Sequence, residues 1–400
     1  MQSRLNQNRF IILLIIVLGL GSCQNKSQKS VPIVISKEEN SPSKFNKSSI
    51  DSASFNREIE DKKVRLFTLK NKNGLEAVIT NYGLRLVSLS APDKNGNFDD
   101  IVLGFSTLDG YLNAKAPFYG AIIGRNANRI SHGHLKILEK TYQLPLNNGE
   151  NHLHGGVNGF HKKVWNVVDF QNNKILFSLL SPHLEAGYPG NLKVKVSYEL
   201  TDDNELIMNY EAETDQPTVV NLSHHSFFNL KGEGSGTIEN HFIQINADFY
   251  TPINQKSIPT GEFASVVNTP FDFNSSDKIG IHLNQKNQQL DFANGFDHNF
   301  VLNQKDTIAN GLFSAAKVIE SSSGRTLEVF TSQAGMQFYT SNFLNGSDVG
   351  KSGKPYLARS GFCLETQHFP DAPNQLNFPS TVLLPNQKYK AKCVYKFGIQ

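Results

Sequence analysis

Apolar and polar residues alternate along several short segments of this chain, which is the pattern of β-strands that bury one face. The clearest segment is 192–200, where apolar side chains at every second position are separated by lysine, serine and glutamate. A polar turn at 201–204 leads into a second alternating segment at 206–212, so the two predict an antiparallel hairpin. Residues 389–397 alternate in the same way and place Cys393 on the core side.

Turn signals separate these segments. Asn73-Gly74 and Asn95-Gly96 are typical of hairpin turns, and residues 187–190 predict another tight bend. After the N-terminal region, no long segment keeps a 3.6-residue apolar period, and the composition does not change abruptly. The sequence therefore predicts an all-β fold, a single large antiparallel β-sandwich that occupies residues 57–400.

Residues 1–22 have the layout of a lipoprotein signal peptide. Arg4 and Arg9 precede an uninterrupted apolar run at 10–20, and small residues follow it up to Cys23. The run is shorter than the about 20 residues that cross a bilayer core, which disfavours an uncleaved anchor. Residues 20–23 resemble a lipobox, so we expect cleavage before Cys23 and its acylation. An ordinary signal peptide with an incidental cysteine is the alternative.

Residues 23–56 are rich in Ser, Lys, Asn and Pro and contain few large apolar side chains. Such a segment cannot offset its ordering entropy by burial, so it predicts a flexible tether from the lipidated Cys23. Two or more acyl chains would hold the protein on a membrane without a spanning helix. We therefore expect the domain to lie on the periplasmic side of a bacterial membrane.

Charge and cysteine content exclude several classes of function. The 400 residues include 39 Lys and Arg against 36 Asp and Glu, and a net charge of +3 provides no field for a nucleic-acid partner. Three cysteines build no disulfide framework and contain no CxxC pair for a structural metal. Because Cys363 and Cys393 lie in predicted core strands, we expect free thiols. A disulfide between them is the alternative in an oxidising compartment.

Polar residues concentrate in five places that the strand pattern does not explain, and these are 124–129, 151–156, 221–230, 295–300 and 361–367. Each has an ordinary explanation when it is taken singly. Glu365 on an apolar strand could face solvent at a sheet edge. His152 and His154 share a strand face and could form half of a metal site, but no carboxylate or thiolate pair lies nearby. His224 and His225 must point to opposite faces if the segment is extended.

Taken together, these segments resemble the aldose 1-epimerases, or galactose mutarotases, from residue 64 to residue 397. The shared motifs occur in family order and are Asn81-Tyr82-Gly83, Ala127-Asn128-Arg129-Ile130, Leu153-His154-Gly155-Gly156, Gly187-Tyr188-Pro189-Gly190, His225 to Leu230, Gly295 to Phe300, Gln337-Phe338-Tyr339-Thr340 and Phe362 to Gln367. Any one of these motifs alone would be weak. Their combination implies a β-sandwich of the galactose mutarotase-like supersandwich type with an open sugar-binding cleft.

The resemblance also implies site residues. Glu365 falls on the family's general base, His225 on its general acid, and His154 on a second active-site histidine near the ring oxygen. The residues that match the family's contacts to sugar hydroxyls are Asn128, Arg129, Asp297 and Gln337. We expect a small-molecule sugar as substrate, no metal or organic cofactor, and a monomer or weak dimer.

One position departs from the family pattern, because His224 occupies a place where Asn is usual. This change puts the local support of His225 in doubt. For His225 to be a charged acid near neutral pH, a neighbouring carboxylate from Asp297 or Glu365 should favour its protonated form.

Three alternatives stay open at this point. A hexose-phosphate 1-epimerase would need extra cations in the cleft, and Arg125 is the one candidate contact. A non-catalytic carbohydrate-binding lipoprotein of the same fold would lack the reaction. A glycoside hydrolase would place two carboxylates about its bond, whereas the expected pair here is Glu and His.

Overall fold

The computed structural model describes residues 50–304, 307–308 and 311–400. The predicted signal peptide, Cys23 and most of the predicted tether therefore lie outside the described residues. Within the described part of the chain, no helix is long and apolar enough to cross a membrane.

In the first half of the described chain, the structure consists of strands and one α-helix, apart from short 3₁₀ helices. In chain order they are β1 (Arg57–Ile59), β2 (Lys62–Val64), β3 (Leu66–Lys70), β4 (Glu76–Thr80), β5 (Arg85–Pro92), β6 (Phe98–Asp100), α1 (Leu108–Asn113), β7 (Ala121–Ile123), β8 (Arg129–Ile130), β9 (His134–Ile137), β10 (Lys140–Gln143), β11 (His152–Leu153), β12 (Asn166–Phe170), β13 (Lys174–Ser181), β14 (Leu192–Leu200) and β15 (Glu205–Thr214).

The second half adds the remaining strands and two helices. They are β16 (Thr218–Val219), β17 (Ser223–His225), β18 (Phe242–Ile245), β19 (Phe249–Thr251), β20 (Ala264–Ser265), β21 (Asp277–Lys278), α2 (Ile279–Leu283), α3 (Gln288–Ala293), β22 (Asp297–Val301), β23 (Thr307–Ile308), β24 (Leu312–Ile319), β25 (Arg325–Thr331), β26 (Gly335–Tyr339), β27 (Asn345–Val349), β28 (Pro355–Leu357), β29 (Cys363–Gln367), β30 (Val382–Leu383) and β31 (Tyr389–Ile399).

The largest sheet is antiparallel and follows the strand order β12-β13-β14-β15-β31-β25-β24-β18-β21, with β23 paired to β24. The predicted hairpin is confirmed, because β14 and β15 pair from Leu200 opposite Leu206 outward. On the exposed face, lysines of β14 lie opposite glutamates of β15, as in the pair Lys193 and Glu213. Opposite charges across neighbouring strands stabilise a sheet, and charged side chains suit a face that is exposed to solvent.

The other face of this sheet packs into one core shared with two smaller sheets. Val196 of β14, Leu86 of the β3-β4-β5-β6 sheet and Phe338 of the β20-β19-β22-β26-β29 sheet belong to the same buried cluster. The predicted all-β sandwich is therefore confirmed. Cys363 and Cys393 are both buried and free, in agreement with the expected thiols.

Ordered structure begins before the predicted start of the domain at residue 57. A 3₁₀ helix spans Ser52–Phe55, and the Asp51 side chain accepts a hydrogen bond from the amide of Ala53 at its start. Phe55 is fully buried, with its ring centroid 6.1 Å from that of Tyr111. Phe55 and the hydrogen bond from the Ser54 hydroxyl to the carbonyl of Ser106 at 2.9 Å attach residues 52–55 to the domain, which composition alone does not detect.

Candidate functional site

A cavity of about 650 Å³ is lined by residues of the short strands β8, β11 and β17 and of the five-stranded sheet. We call this cavity the cleft. Six of the seven sequence-predicted site residues line it, and these are Asn128, Arg129, His154, His225, Asp297 and Glu365. All five polar segments found in the sequence thus supply at least one predicted residue to one site.

Glu365 and His225 are brought together by strand register. Phe228 and Phe362 form an antiparallel bridge, and their rings are buried in the core. Three residues along each strand from that bridge, His225 and Glu365 lie opposite each other. Because side chains alternate between faces, an odd number of steps turns them away from the core and into the cleft. The Nε2 atom of His225 lies 3.5 Å from Oε1 of Glu365.

The five-stranded sheet supplies the floor beneath this pair. Asp297 of β22 is paired with Tyr339 of β26, and Gln337 of β26 is paired with Glu365 of β29. Residues paired in this way project from the same face of the sheet. Asp297 therefore lies one strand removed from Glu365 on the cleft side.

Burial controls the protonation of the pair. Glu365 is 2% exposed and its Oε2 has no hydrogen-bond partner within the described residues. Desolvation raises the pKa of Glu365 well above its ordinary value, and Asp297 raises it further. Desolvation lowers the pKa of His225 to about 4, although its own backbone and Asp297 oppose the shift. Asp297 favours the protonated imidazole, as expected, but desolvation outweighs this effect in the ligand-free cleft.

Burial therefore favours the uncharged form of each group in the ligand-free cleft, a neutral imidazole on His225 and a protonated carboxyl on Glu365. A reaction that uses Glu365 as carboxylate and His225 as imidazolium needs a ligand that reverses both preferences across the 3.5 Å gap between them.

His154 is held in one tautomer by the backbone. The amide N–H of Asn128 donates to its Nδ1 at 3.1 Å. An amide can only donate, so Nδ1 is the acceptor and the neutral ring carries its proton on Nε2. Burial and the neighbouring His225 lower the pKa of His154 well below its usual value, so the ring is a neutral donor.

His152 does not share a face with His154, contrary to the strand pattern. The strand ends at Leu153, and His154 adopts a left-handed conformation with a φ of 52°. His152 is fully buried, with its Nδ1 2.7 Å from the carbonyl of Pro145 and its Nε2 2.8 Å from the hydroxyl of Tyr188. It is a satisfied core histidine.

His154, His225 and Glu365 each place one potential metal-ligating atom within 4.8 Å of the others. The Nδ1 of His154 already accepts from Asn128, so its Nε2 would have to lose a proton before it could bind a cation. Metal-bound histidines normally donate their second ring N–H to an acceptor, which is the reverse of this arrangement. The geometry suits proton transfer better than metal binding.

Arg129 and Asp297 form the charged pair of the cleft. The guanidinium of Arg129 lies 3.4 Å from Oδ2 of Asp297, and its Nε donates to Asn148 at 3.1 Å. The side-chain oxygen of Asn128 accepts from the amide of Arg129 at 2.9 Å. These groups are fixed before a ligand arrives, which is what hydroxyl recognition requires.

Gln337 lies beside Asp297 in the ligand-free cleft. It is 2% exposed and donates through Nε2 to Oδ1 of Asp297 at 2.6 Å. Its amide therefore supports the carboxylate of Asp297.

No sequence pattern separates the aromatic side chains of the cleft from those of the core. Phe118 stacks on the ring of His225 at 5.7 Å and meets His154 edge-on at 4.6 Å between centroids. Phe227 approaches His225 at 4.9 Å, and Tyr339 also lines the cleft. The strand pattern assigns such residues to the core, and only the tertiary fold separates a cleft wall from a core layer.

Two further side chains turn away from the cleft. His224 points to the core, with ring centroids 5.9 Å from those of Tyr198 and Tyr395, as strand alternation predicts. Arg125, the candidate phosphate contact, is buried and donates to backbone carbonyls at 182, 189 and 190 and to Ser181. The additional cation that a sugar phosphate would need is not supplied by Arg125.

Comparisons with known proteins agree with this geometry. The family model described as aldose 1-epimerase matches residues 65–396. Galactose mutarotase from Bos taurus is 46% identical over 325 residues, which cover 81% of this chain and 92% of that protein. Aldose 1-epimerase from Escherichia coli K12 is 36% identical over 335 residues, covering 83% of this chain and 95% of that protein.

Solved structures show the same likeness. The structure of an aldose epimerase homologue from C. elegans superposes with a TM-score of 0.76 at 32% identity and covers 84% of this chain and 98% of that chain. Galactose 1-epimerase from Lactobacillus acidophilus gives a TM-score of 0.74 at 30% identity, covering 86% of this chain and 97% of that chain.

The buried His224 predicts a pH-dependent stability. Burial, aided by His225, lowers its pKa to about 3, whereas an unfolded histidine titrates near 6.5. Between these values the unfolded chain binds more protons, so the free energy of unfolding falls as the pH drops below 6.5. Between pH 7 and pH 4.5, the free energy of unfolding of His224→Asn should fall by about 2 kcal/mol less than that of the wild type. Urea unfolding at the two pH values measures this difference, and equal losses would contradict it.

Proposed function

This chain belongs to the aldose 1-epimerase family, and we propose that Glu365 and His225 carry out its reaction, the interconversion of the α and β anomers of a free aldose. The observation that carries the assignment is the 3.5 Å approach of a buried carboxyl to a buried imidazole in a cleft with fixed polar groups. Galactose is the aldose that the names of several relatives contain.

Anomer exchange requires a proton to leave the anomeric hydroxyl while another reaches the ring oxygen. Glu365 as carboxylate takes the first proton, and His225 as imidazolium gives the second through Nε2. The bond from C1 to the ring oxygen then opens to an aldehyde. After rotation about C1–C2, the two groups reverse their roles and the ring closes on the other face. No atom is oxidised, hydrolysed or transferred.

Substrate binding prepares the pair for this exchange. The anomeric hydroxyl donates to Glu365, and a hydrogen bond to the charged form of a carboxyl lowers its pKa. A proton released from Glu365 in this way passes to His225, which becomes the acid. The fixed Nε2–H of His154 adds a second donor near the ring oxygen. Arg129, Asp297 and Asn128 orient the hydroxyls, and Gln337 acts through Asp297.

Replacing Glu365 tests the base directly. Glu365→Gln keeps the shape of the side chain but cannot take a proton, so kcat should fall by about 10²- to 10⁴-fold with little change in KM. The measurement is polarimetry of freshly dissolved α-glucose and α-galactose.

Glu150→Gln is the matched control, because Glu150 is a carboxylate of the same cavity that is 43% exposed and pairs with Lys256 at 3.6 Å. Its rate should stay near that of the wild type. A wild-type rate in Glu365→Gln would remove the proposed base. No acceleration by the wild type would instead favour a sugar-binding protein without catalysis, and faster turnover of glucose 6-phosphate than of glucose would indicate a hexose-phosphate enzyme.

We also propose that the chain is exported and anchored by lipid on Cys23, on the periplasmic side of a bacterial membrane. The support comes from the sequence, with two arginines, a short apolar run and a lipobox-like end at 20–23. The family match begins at residue 65, so the N-terminal segment is additional to the family domain. A tether of this composition would let the domain reach sugars above the membrane surface.

Cys23→Ser tests the anchor. The wild-type chain, produced in a Gram-negative host, should incorporate radiolabelled palmitate and sediment with membranes. Cys23→Ser should do neither, and it should keep the mutarotase rate of the wild type because the domain is untouched. Equal palmitate labelling of the two proteins, or a wild type that carries no label, would contradict the anchor.

A further inference from the structure

Arg85 is a fully buried cation without a carboxylate partner in the described part of the chain. It begins β5 and is 1% exposed. Within the described residues, no Asp or Glu oxygen lies within ion-pair distance of its guanidinium, whereas buried Arg325 pairs with Asp99. Burial lowers the pKa of Arg85 only to about 10, so it keeps its charge at neutral pH. A buried, uncompensated charge is costly, which calls for a physical reason.

The guanidinium donates to three backbone carbonyls, two of them in the loop at 117–119 and the third at His161. Its Nη1 donates to the carbonyl of Tyr119 at 2.8 Å, and its Nη2 donates to the carbonyls of Pro117 at 2.9 Å and His161 at 2.8 Å. The planar fork of an arginine fixes such acceptors in one geometry. Tyr82 and Tyr111 flank the cation at 5.5 and 5.1 Å from their ring centroids.

The two loop carbonyls belong to the residues on either side of Phe118. Phe118 is the cleft wall that stacks on His225 and meets His154 edge-on. The same loop continues to Gly120, whose amide donates to the carbonyl of His225 at 2.9 Å. Holding the carbonyls of residues 117 and 119 therefore fixes the direction of the ring between them.

We propose that Arg85 is a positioning residue for the mutarotase reaction, because its fork fixes the loop that holds Phe118 against His225 and His154. This inference rests on the proposed function of His225 as the acid. Arg85 lies beneath the wall and does not line the cleft, so it acts through Phe118 rather than on the sugar.

The charge of Arg85 has a second consequence, because a nearby cation lowers the pKa of His225. An imidazolium with a lower pKa is a stronger acid toward the weakly basic ring oxygen. The ionisable groups that surround His225 are Glu365 and Cys363 in contact, and His154, His161, His224, Tyr339, Asp297 and Arg85 further away. Of these, Arg85 is the group whose removal should raise the pKa of His225 without removing an atom that contacts its ring.

A titration of the His225 ring by NMR in the ligand-free protein tests the charge without any need for activity. Arg85→Met should raise the pKa of His225 by roughly half a unit or more, whereas Arg85→Lys, which keeps the charge, should leave it in place. Arg325→Met is the matched control, because it removes another buried arginine that lies outside the cleft, and it should not move the ring. A folded Arg85→Met with the wild-type titration would overturn the electrostatic part.

A double-mutant cycle tests the positioning. Arg85→Lys removes the planar guanidinium that holds the loop carbonyls, and Phe118→Leu removes the aromatic ring that packs against His225. Each substitution should therefore lower kcat by about tenfold or more. If Arg85 acts through Phe118, the double variant should lose no more than the larger single loss. Multiplicative losses, or an unchanged kcat in Arg85→Lys, would overturn the positioning role. If Arg85→Met fails to fold, Arg85→Lys and this double-mutant cycle decide the proposal. A wild type without mutarotase activity would reject the proposed function. In that case the NMR titration still decides whether the charge of Arg85 lowers the pKa of His225.

Discussion

The opposition of a buried carboxyl and a buried imidazole is the constraint on which the rest of this site depends. Antiparallel register at the Phe228–Phe362 bridge sets His225 across from Glu365, and the large sandwich keeps both segments in place. Desolvation drives the pKa values of the two groups in opposite directions and favours the uncharged form of each. A site that pairs a proton acceptor with a proton donor can serve both directions of anomer exchange, because each half-reaction restores the other group.

Much of the fold could be predicted from the sequence, because strands with one buried and one solvent-exposed face show an alternating apolar and polar pattern. The β14–β15 hairpin and the C-terminal strand follow the alternating pattern, and the core side of Cys393 follows with them. The short helices α1 to α3 escape such reasoning because five or six residues are too few to show a helical period. Phe55 likewise binds to the domain from within a stretch whose composition is that of a linker.

The chemical site was predictable only in part. The resemblance assigned Glu365, His225, His154, Asn128, Arg129 and Asp297, and all six face one cavity. The hydrogen bond from Gln337 to Asp297 was not predictable, because whether an amide reaches a ligand or a neighbouring carboxylate depends on tertiary contacts. The lowered pKa of His225 was not predictable for a related reason, since local sequence shows the neighbouring carboxylates but not the depth of burial. Phe118 and Arg85 carry no sequence signal, as one looks like a core aromatic and the other like a surface cation.

Glu365 and His225 are proposed to contact one sugar ring together, Glu365 at the anomeric oxygen and His225 at the ring oxygen. A crystal structure of the Glu365→Gln protein with bound galactose or glucose tests this most directly. We expect the side chain of residue 365 at hydrogen-bond distance, about 3 Å, from the anomeric oxygen, and Nε2 of His225 at a similar distance from the ring oxygen. A sugar bound in the cleft with its anomeric carbon turned away from both groups would contradict it.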